Sequence, residues 1–159
     1  MNKFRVGFGY DVHQLVAGRD LIIGGVSINY HKGAFGHSDA DVLLHALADA
    51  LLGAAGLGDI GTHFSDIDPK FKDFESKLIL KEVFIKIRDT GFQINNVDTT
   101  VVLQEPKIKD QIPEMKSVIA SILHMEIDAV SVKATTNEHL GYIGNGEGIA
   151  AFAIVSIIG

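Results

Sequence analysis

The chain has 159 residues, 47% of them hydrophobic and 21% charged, and a formal net charge of −6. That length fits one domain with a real core, here residues 1–159, and the composition is that of a soluble globular protein. The acidic balance excludes a nucleic-acid footprint, and the lack of cysteine excludes disulfides and thiolate chemistry and suits a reducing compartment, the cytoplasm.

The first residues lead straight into a strand without a signal-peptide pattern. Residues 4–13, FRVGFGYDVH, alternate with period two. Phe4, Val6, Phe8, Tyr10 and Val12 share one face, expected to pack. Arg5, Gly7, Gly9, Asp11 and His13 share the other, where the glycines are expected to clear space beside Asp11 and His13. Residues 19–25 read as a second strand, Val26 to Tyr30 as a short third, and Gly33 to Gly36 as a loop leading to His37 and Ser38.

Residues 37–61, HSDADVLLHALADALLGAAGLGDIG, hold a mostly buried helix. Ser38 with Asp41 reads as a capping box, so the helix is expected to start near Asp39 and to end at the glycines from Gly53 onward. Asp41, His45 and Asp49 recur every four residues and share a helix face. A core histidine satisfied by two carboxylates is one reading. The other joins His45 to Asp11 and His13 as two imidazoles and a carboxylate on rigid elements, a set that suits zinc with a fourth position open. Helix N-termini favour anions, which makes His37 and Ser38 candidates for more than capping.

Residues 56–74 read as a long functional loop carrying Asp59, Phe64, Asp66 and Asp68. Glu75 to Thr90 reads as an amphipathic helix closed by Gly91, Val97 to Gln104 as a strand, and Glu105-Pro106-Lys107 as a turn. Pro113 opens a helix running to His124. A strand from Val130 to Thr136 ends in hydroxyls, Lys133 and Glu138, a mixture that suits phosphate and its metal. The glycine-rich GYIGNGEG stretch lacks the Walker lysine. The last strand is apolar on both faces, as in a buried layer or a subunit interface. Its longest apolar run, Gly148 to Gly159, is about half of the roughly 20 residues a membrane helix needs, so no membrane partner is expected. The fold class is therefore α+β, a mixed β-sheet with helices packed on one face.

The blocks GYDVH, HSDADVLLHALADALLGAAGLGDIG, FSDIDP, QEPK, VKATTNEHLG and GEGIA, in that order, resemble the 2-C-methyl-D-erythritol 2,4-cyclodiphosphate synthase family of the non-mevalonate isoprenoid pathway. The resemblance implies a homotrimer with active sites between subunits. It also implies a cytidine diphosphate substrate cyclised with loss of CMP, Zn2+ on Asp11, His13 and His45, and Mg2+ or Mn2+ held by Glu138. By the same resemblance His37 and Thr136 are catalytic donors to the reacting phosphorus. The substrate would lie along Asp11, Val12 and His13, under His37 and Ser38. Its methylerythritol part would meet Asp59, Ile60, Gly61, Phe64, Ser65, Asp66, Ile67 and Asp68. Leu103, Gln104, Glu105, Pro106, Lys107, Ile108 and Lys109 would read the cytosine. Thr135, Thr136, Asn137 and Glu138 would face the phosphates, with Tyr142 and Asn145 nearby; many members carry arginine at the place of Asn145. Two other classes stay open: a zinc hydrolase with Asp41 or Asp49 as general base, and a non-catalytic trimer with structural zinc.

Overall fold

The computed structural model describes residues 3–36, 38–64 and 74–159. Strand β1 (Phe4–Ala17) is followed by three short strands, β2 (Leu21–Ile23), β3 (Val26–Ile28) and β4 (Lys32–Ala34). Helix α1 (Val42–Ala55) leads to the single turn α2 (Ile60–His63) and to α3 (Ser76–Asp89). Then come β5 (Gln93–Val102), α4 (Ile112–Leu123), β6 (Val130–Thr135), the short α5 (Gly141–Gly144) and β7 (Gly148–Ile158). The sheet is mixed, in the order β4-β1-β7-β5-β6, with only β5 and β6 parallel; β2 and β3 form a separate hairpin.

Helix α1 is the centre of the core: Leu43, Leu44, Leu47, Leu51 and Leu52 are all buried. Its start differs from the expected capping box. Asp41 is the N-cap and accepts from the N–H groups of Leu43 and Leu44, both at 3.1 Å. Ser38 Oγ accepts from the N–H of Ala40 instead. Gly53 lies within the helix, which ends at Gly56, where φ is 74° and the left-handed conformation suits glycine.

The two faces of β1 are exchanged relative to the expectation. Gly7 and Gly9 clear no space beside a ligand. A Cβ on either would lie 1.9 Å from the carbonyl oxygen of Ala50 or Ala46, so the α1 backbone rests directly on the strand. Four residues of helix rise about 6 Å and two of strand about 6.7 Å, so the steps Gly9 to Gly7 and Ala46 to Ala50 keep pace. Arg5, in the same row, donates to the carbonyl of Ala55 at 3.1 Å, a cation at the helix C-terminus. Asp11 and His13, at the other end of the row, emerge beside His45. The face expected to pack is open in the single chain, with Phe4 63%, Val6 58% and Phe8 62% exposed. The stretch around Gly33, read as loop, pairs with the end of β1 as β4, an edge strand too short to announce itself.

Candidate functional site

β1 delivers two side chains and α1 one to a common point. Asp11 Oδ2 lies 3.0 Å from His13 Nε2 and 3.1 Å from His45 Nδ1, and those two nitrogens are 3.5 Å apart. Among the described residues this is the group of histidine and carboxylate side chains placed to hold a metal ion. The far nitrogen of each ring has a partner: His13 Nδ1 is 3.0 Å from the Phe35 carbonyl oxygen and His45 Nε2 is 2.9 Å from Ser76 Oγ. Nε2 of His13 is thereby left as a lone pair once Nδ1–H donates to the carbonyl, the outer contact common behind metal-bound histidine. Burial alone would raise the pKa of Asp11; when the rings of His13 and His45 carry a proton toward it, their hydrogen bonds outweigh burial and hold the carboxyl well below the usual range. Burial disfavours a charged His45, but the hydrogen bond and the charge of Asp11 prevail and raise its pKa. A permanent anion with two imidazoles converging on it fits a divalent cation of the zinc type.

The triad forms one wall of a cavity of about 420 Å³. Phe35, Gly36 and Ser38 border it on one side, Ile60, Gly61 and Phe64 on another, and Ile79 from α3 closes it. Asp59 does not line it; it caps α2 by accepting from the N–H and hydroxyl of Thr62 at 2.8 and 2.7 Å. The expected roles of His37, Ser65, Asp66, Ile67 and Asp68 lie outside the described residues. Val12 places its side chain on the face opposite Asp11 and His13.

A second cavity, of about 150 Å³, lies where β5 and β6 end. Leu103, Gln104, Pro106, Lys107, Ile108 and Lys109 form one side and Ala134, Thr135 and Thr136 the other. Glu105 is in the turn but not in the wall. Beyond it, Glu138 and His139 have φ of 51° and 61°, and Gln104 holds that bend by accepting from the His139 N–H at 3.1 Å. Thr136 Oγ1 donates to Glu138 Oε1 at 3.0 Å, and Asn137 Nδ2 to the Leu140 carbonyl. Glu138 is not brought to the triad, and Tyr142 and Asn145 line neither cavity; the Tyr142 hydroxyl is 3.5 Å from that of Tyr10. Asp11 is level with Ala151, Val101 and Ala134 across the sheet, so at about 4.8 Å per strand Asp11 in the wall of the first cavity and Ala134 in that of the second are about 14 Å apart along the sheet.

Neither carboxylate considered as a hydrolytic base is free. Asp41 is wholly buried and accepts from the N–H groups of Gly24 at 2.9 Å and Gly25 at 2.6 Å as well as its two capping bonds. Asp49 accepts from the Ile60 N–H at 2.7 Å. Residues 39, 76 and 79 were not legible as site residues: Ser76 reaches His45 across 31 positions, and Ile79 reads only as helix core.

The chain is 57% identical over 155 residues to a protein of Burkholderia thailandensis called 2-C-methyl-D-erythritol 2,4-cyclodiphosphate synthase, covering 98% of this chain and 96% of that one. The structure of the bifunctional IspDF from Campylobacter jejuni matches with a TM-score of 0.95 and 44% identity over 99% of this chain, which spans 43% of that longer protein. The CDP complex of IspF from Plasmodium falciparum matches with a TM-score of 0.87 and 35% identity, covering 99% of this chain and 97% of that one. The family model described as the YgbB family matches residues 4–158. The chain belongs to the YgbB family, whose members at this level of identity are 2-C-methyl-D-erythritol 2,4-cyclodiphosphate synthases.

Proposed function

We propose that this chain converts 4-diphosphocytidyl-2-C-methyl-D-erythritol 2-phosphate to 2-C-methyl-D-erythritol 2,4-cyclodiphosphate with release of CMP, as a phosphorus–oxygen lyase of the non-mevalonate pathway. The observation that carries the reading is the convergence of Asp11, His13 and His45 within 3.0 to 3.5 Å on the wall of a cavity large enough for a small phosphorylated polyol. These three would hold zinc, and Glu138 a Mg2+ or Mn2+ ion; such ions, when bound, neutralise phosphate oxygens as Lewis acids.

The nucleophile is a phosphate already ionised at neutral pH, so the protein needs no serine, cysteine or strong base. Its work is to hold two mutually repelling phosphates in line and to balance their charge. Ile60, Gly61 and Phe64 offer apolar walls to the methylerythritol carbons. The turn Leu103 to Lys109 offers main-chain groups to cytosine and Lys107 and Lys109 to the diphosphate, in keeping with the CDP carried by the Plasmodium falciparum relative. Thr136, whose hydroxyl donates to Glu138 in the free chain, would turn that proton to a phosphate oxygen at the mouth of that second cavity, and His37 is assigned the same duty by the family pattern.

We further propose a homotrimer in which the second cavity of one subunit abuts the triad of the next. The exposed apolar face of β1 and β7 supports it. A cytoplasmic location belongs to the same reading, supported by the cysteine-free composition. Among the described residues no helix is long and apolar enough to cross a membrane. Incubating the purified protein with the cytidine substrate, zinc and magnesium should yield CMP and cyclodiphosphate in equal amounts. Release of inorganic phosphate instead would make it a hydrolase, and no turnover would favour a structural metal.

A further inference from the structure

We infer that Asp39 and Ser76 are positioning residues of the metal centre, which together hold His45 with its proton on Nε2 and its Nδ1 bare toward Asp11 and His13. The inference rests on reading those three side chains as a metal site.

Helix α3 begins at Ser76, and its N-cap residue Glu75 makes no capping side-chain bond. Asp39, 37 positions earlier, takes that place: its two carboxylate oxygens accept from the Ser76 N–H at 3.3 and 3.2 Å. The same carboxylate accepts the Ser76 hydroxyl. A hydroxyl has a single proton and a carboxylate has none to offer, so that proton is committed to Asp39. What Ser76 Oγ turns toward His45 Nε2, 2.9 Å away, is a lone pair. Nε2 must then be the protonated nitrogen of the neutral ring. Ser38 Oγ lies farther off, at 3.4 Å, beyond the usual range of a hydroxyl hydrogen bond, so the shorter Ser76 contact sets the ring.

The choice of tautomer decides what the triad is. With the proton on Nδ1, His45 would donate straight to Asp11 Oδ2 and close the group as an ordinary histidine–aspartate hydrogen bond. With the proton on Nε2, three lone pairs meet without a proton among them, and a cation is what relieves that arrangement. Ser76 is buried, so water does not substitute for it. The first turn of α3 and the segment before α1 are thereby tied to a ligand that neither of them carries.

The test is a long-range proton–nitrogen correlation of the histidine rings in full-length, 15N-labelled protein, stripped of metal by chelator and held at pH 8. His45 is expected as the Nε2–H tautomer, and the Nδ1–H tautomer in wild type would overturn the proposal without any variant. Ser76→Ala and Asp39→Asn should each give mixed tautomers and weaken zinc binding about 10- to 100-fold in competition with a chromophoric chelator. A folded Ser76→Ala protein with unchanged tautomer and unchanged zinc affinity would also overturn it. Wild-type protein that takes up no more zinc than His45→Ala would refute the metal site itself and leave the tautomer result to be read alone.

Discussion

At the scale of single residues, Asp41 is wholly buried where it caps α1. Burial pushes its pKa up to about 6, with the Gly25, Leu44 and Gly24 N–H groups opposing that only in part. The proton therefore prefers the folded protein. Its stabilising contribution is full below the unfolded value near pH 4, declines as pH rises to about 6, and is flat above. A shift of about two pH units corresponds to about 3 kcal/mol. Urea titrations of metal-free wild type and Asp41→Asn at pH 4, 5, 6 and 7 should show wild type losing about that much relative to the variant across the range; parallel curves would remove Asp41 as the cause. Glu138→Gln is expected to lower turnover by 100-fold or more on the order of a lost charge contact to a metal-bridged diphosphate, with zinc content unchanged. Near-normal turnover across a magnesium titration would count against Glu138 as the second ion's ligand. Asp11, His13 and His45 were legible in the sequence because alternation and four-residue spacing name their elements and faces. Asp39 and Ser76 were not, because 37 positions separate them and a serine beginning a helix reads as nothing more than that.

Whole elements were found where periodicity is long and missed where it is short. The 3.6-residue pattern located α1, α3 and α4 to within a few residues, whereas β4 has only three residues and α2 only four. Alternation showed that β1 has two distinct faces, but it cannot say which of them a helix will choose. The expectation went to the larger side chains, and the helix chose the glycines, because a backbone-to-backbone approach needs the absence of Cβ more than it needs apolar bulk. Gly9→Ala should therefore push α1 from the strand and cost about 1 to 3 kcal/mol or more, since its Cβ would meet the Ala46 carbonyl rather than a yielding side chain. Asp11, two residues on, should shift away from His45, so zinc affinity should fall with stability. Gly53→Ala, inside α1 with open space around it, should instead stabilise by about 0.5 to 1 kcal/mol. Equal effects of the two substitutions in chemical denaturation would show that the contact between strand and helix is not what the glycine at position 9 serves.

On the scale of the whole molecule, the unsolved surface of the single chain is the outer face of its sheet. Phe4, Val6, Phe8, Tyr10 and Val12 of β1 stand beside Phe152 and Ile154 of β7, and the rings make one continuous patch: Tyr10 and Phe152 are 5.1 Å apart and Phe8 and Phe152 6.3 Å. The patch ends toward β5 and β6, where Asp98 and Lys133 form an exposed ion pair at 2.6 Å. An apolar field with a polar border is what a subunit interface leaves when its partner is taken away. Helices already cover the inner face, and in the proposed homotrimer the cover for the outer one comes from another copy. A closed ring satisfies every copy alike, whereas an open chain would leave two patches bare. Light scattering at micromolar concentration should give about three times the chain mass of 17.1 kDa. Phe152→Asp puts a charge at the middle of the patch without touching either cavity. It should give monomers that still bind zinc, because the triad lies within one chain, yet turn over no substrate, because the second cavity of the neighbour is gone. Full activity in a monomeric variant would refute the shared site and the trimer together, whereas an inactive trimer would mean that residue 152 acts on the site by some other route.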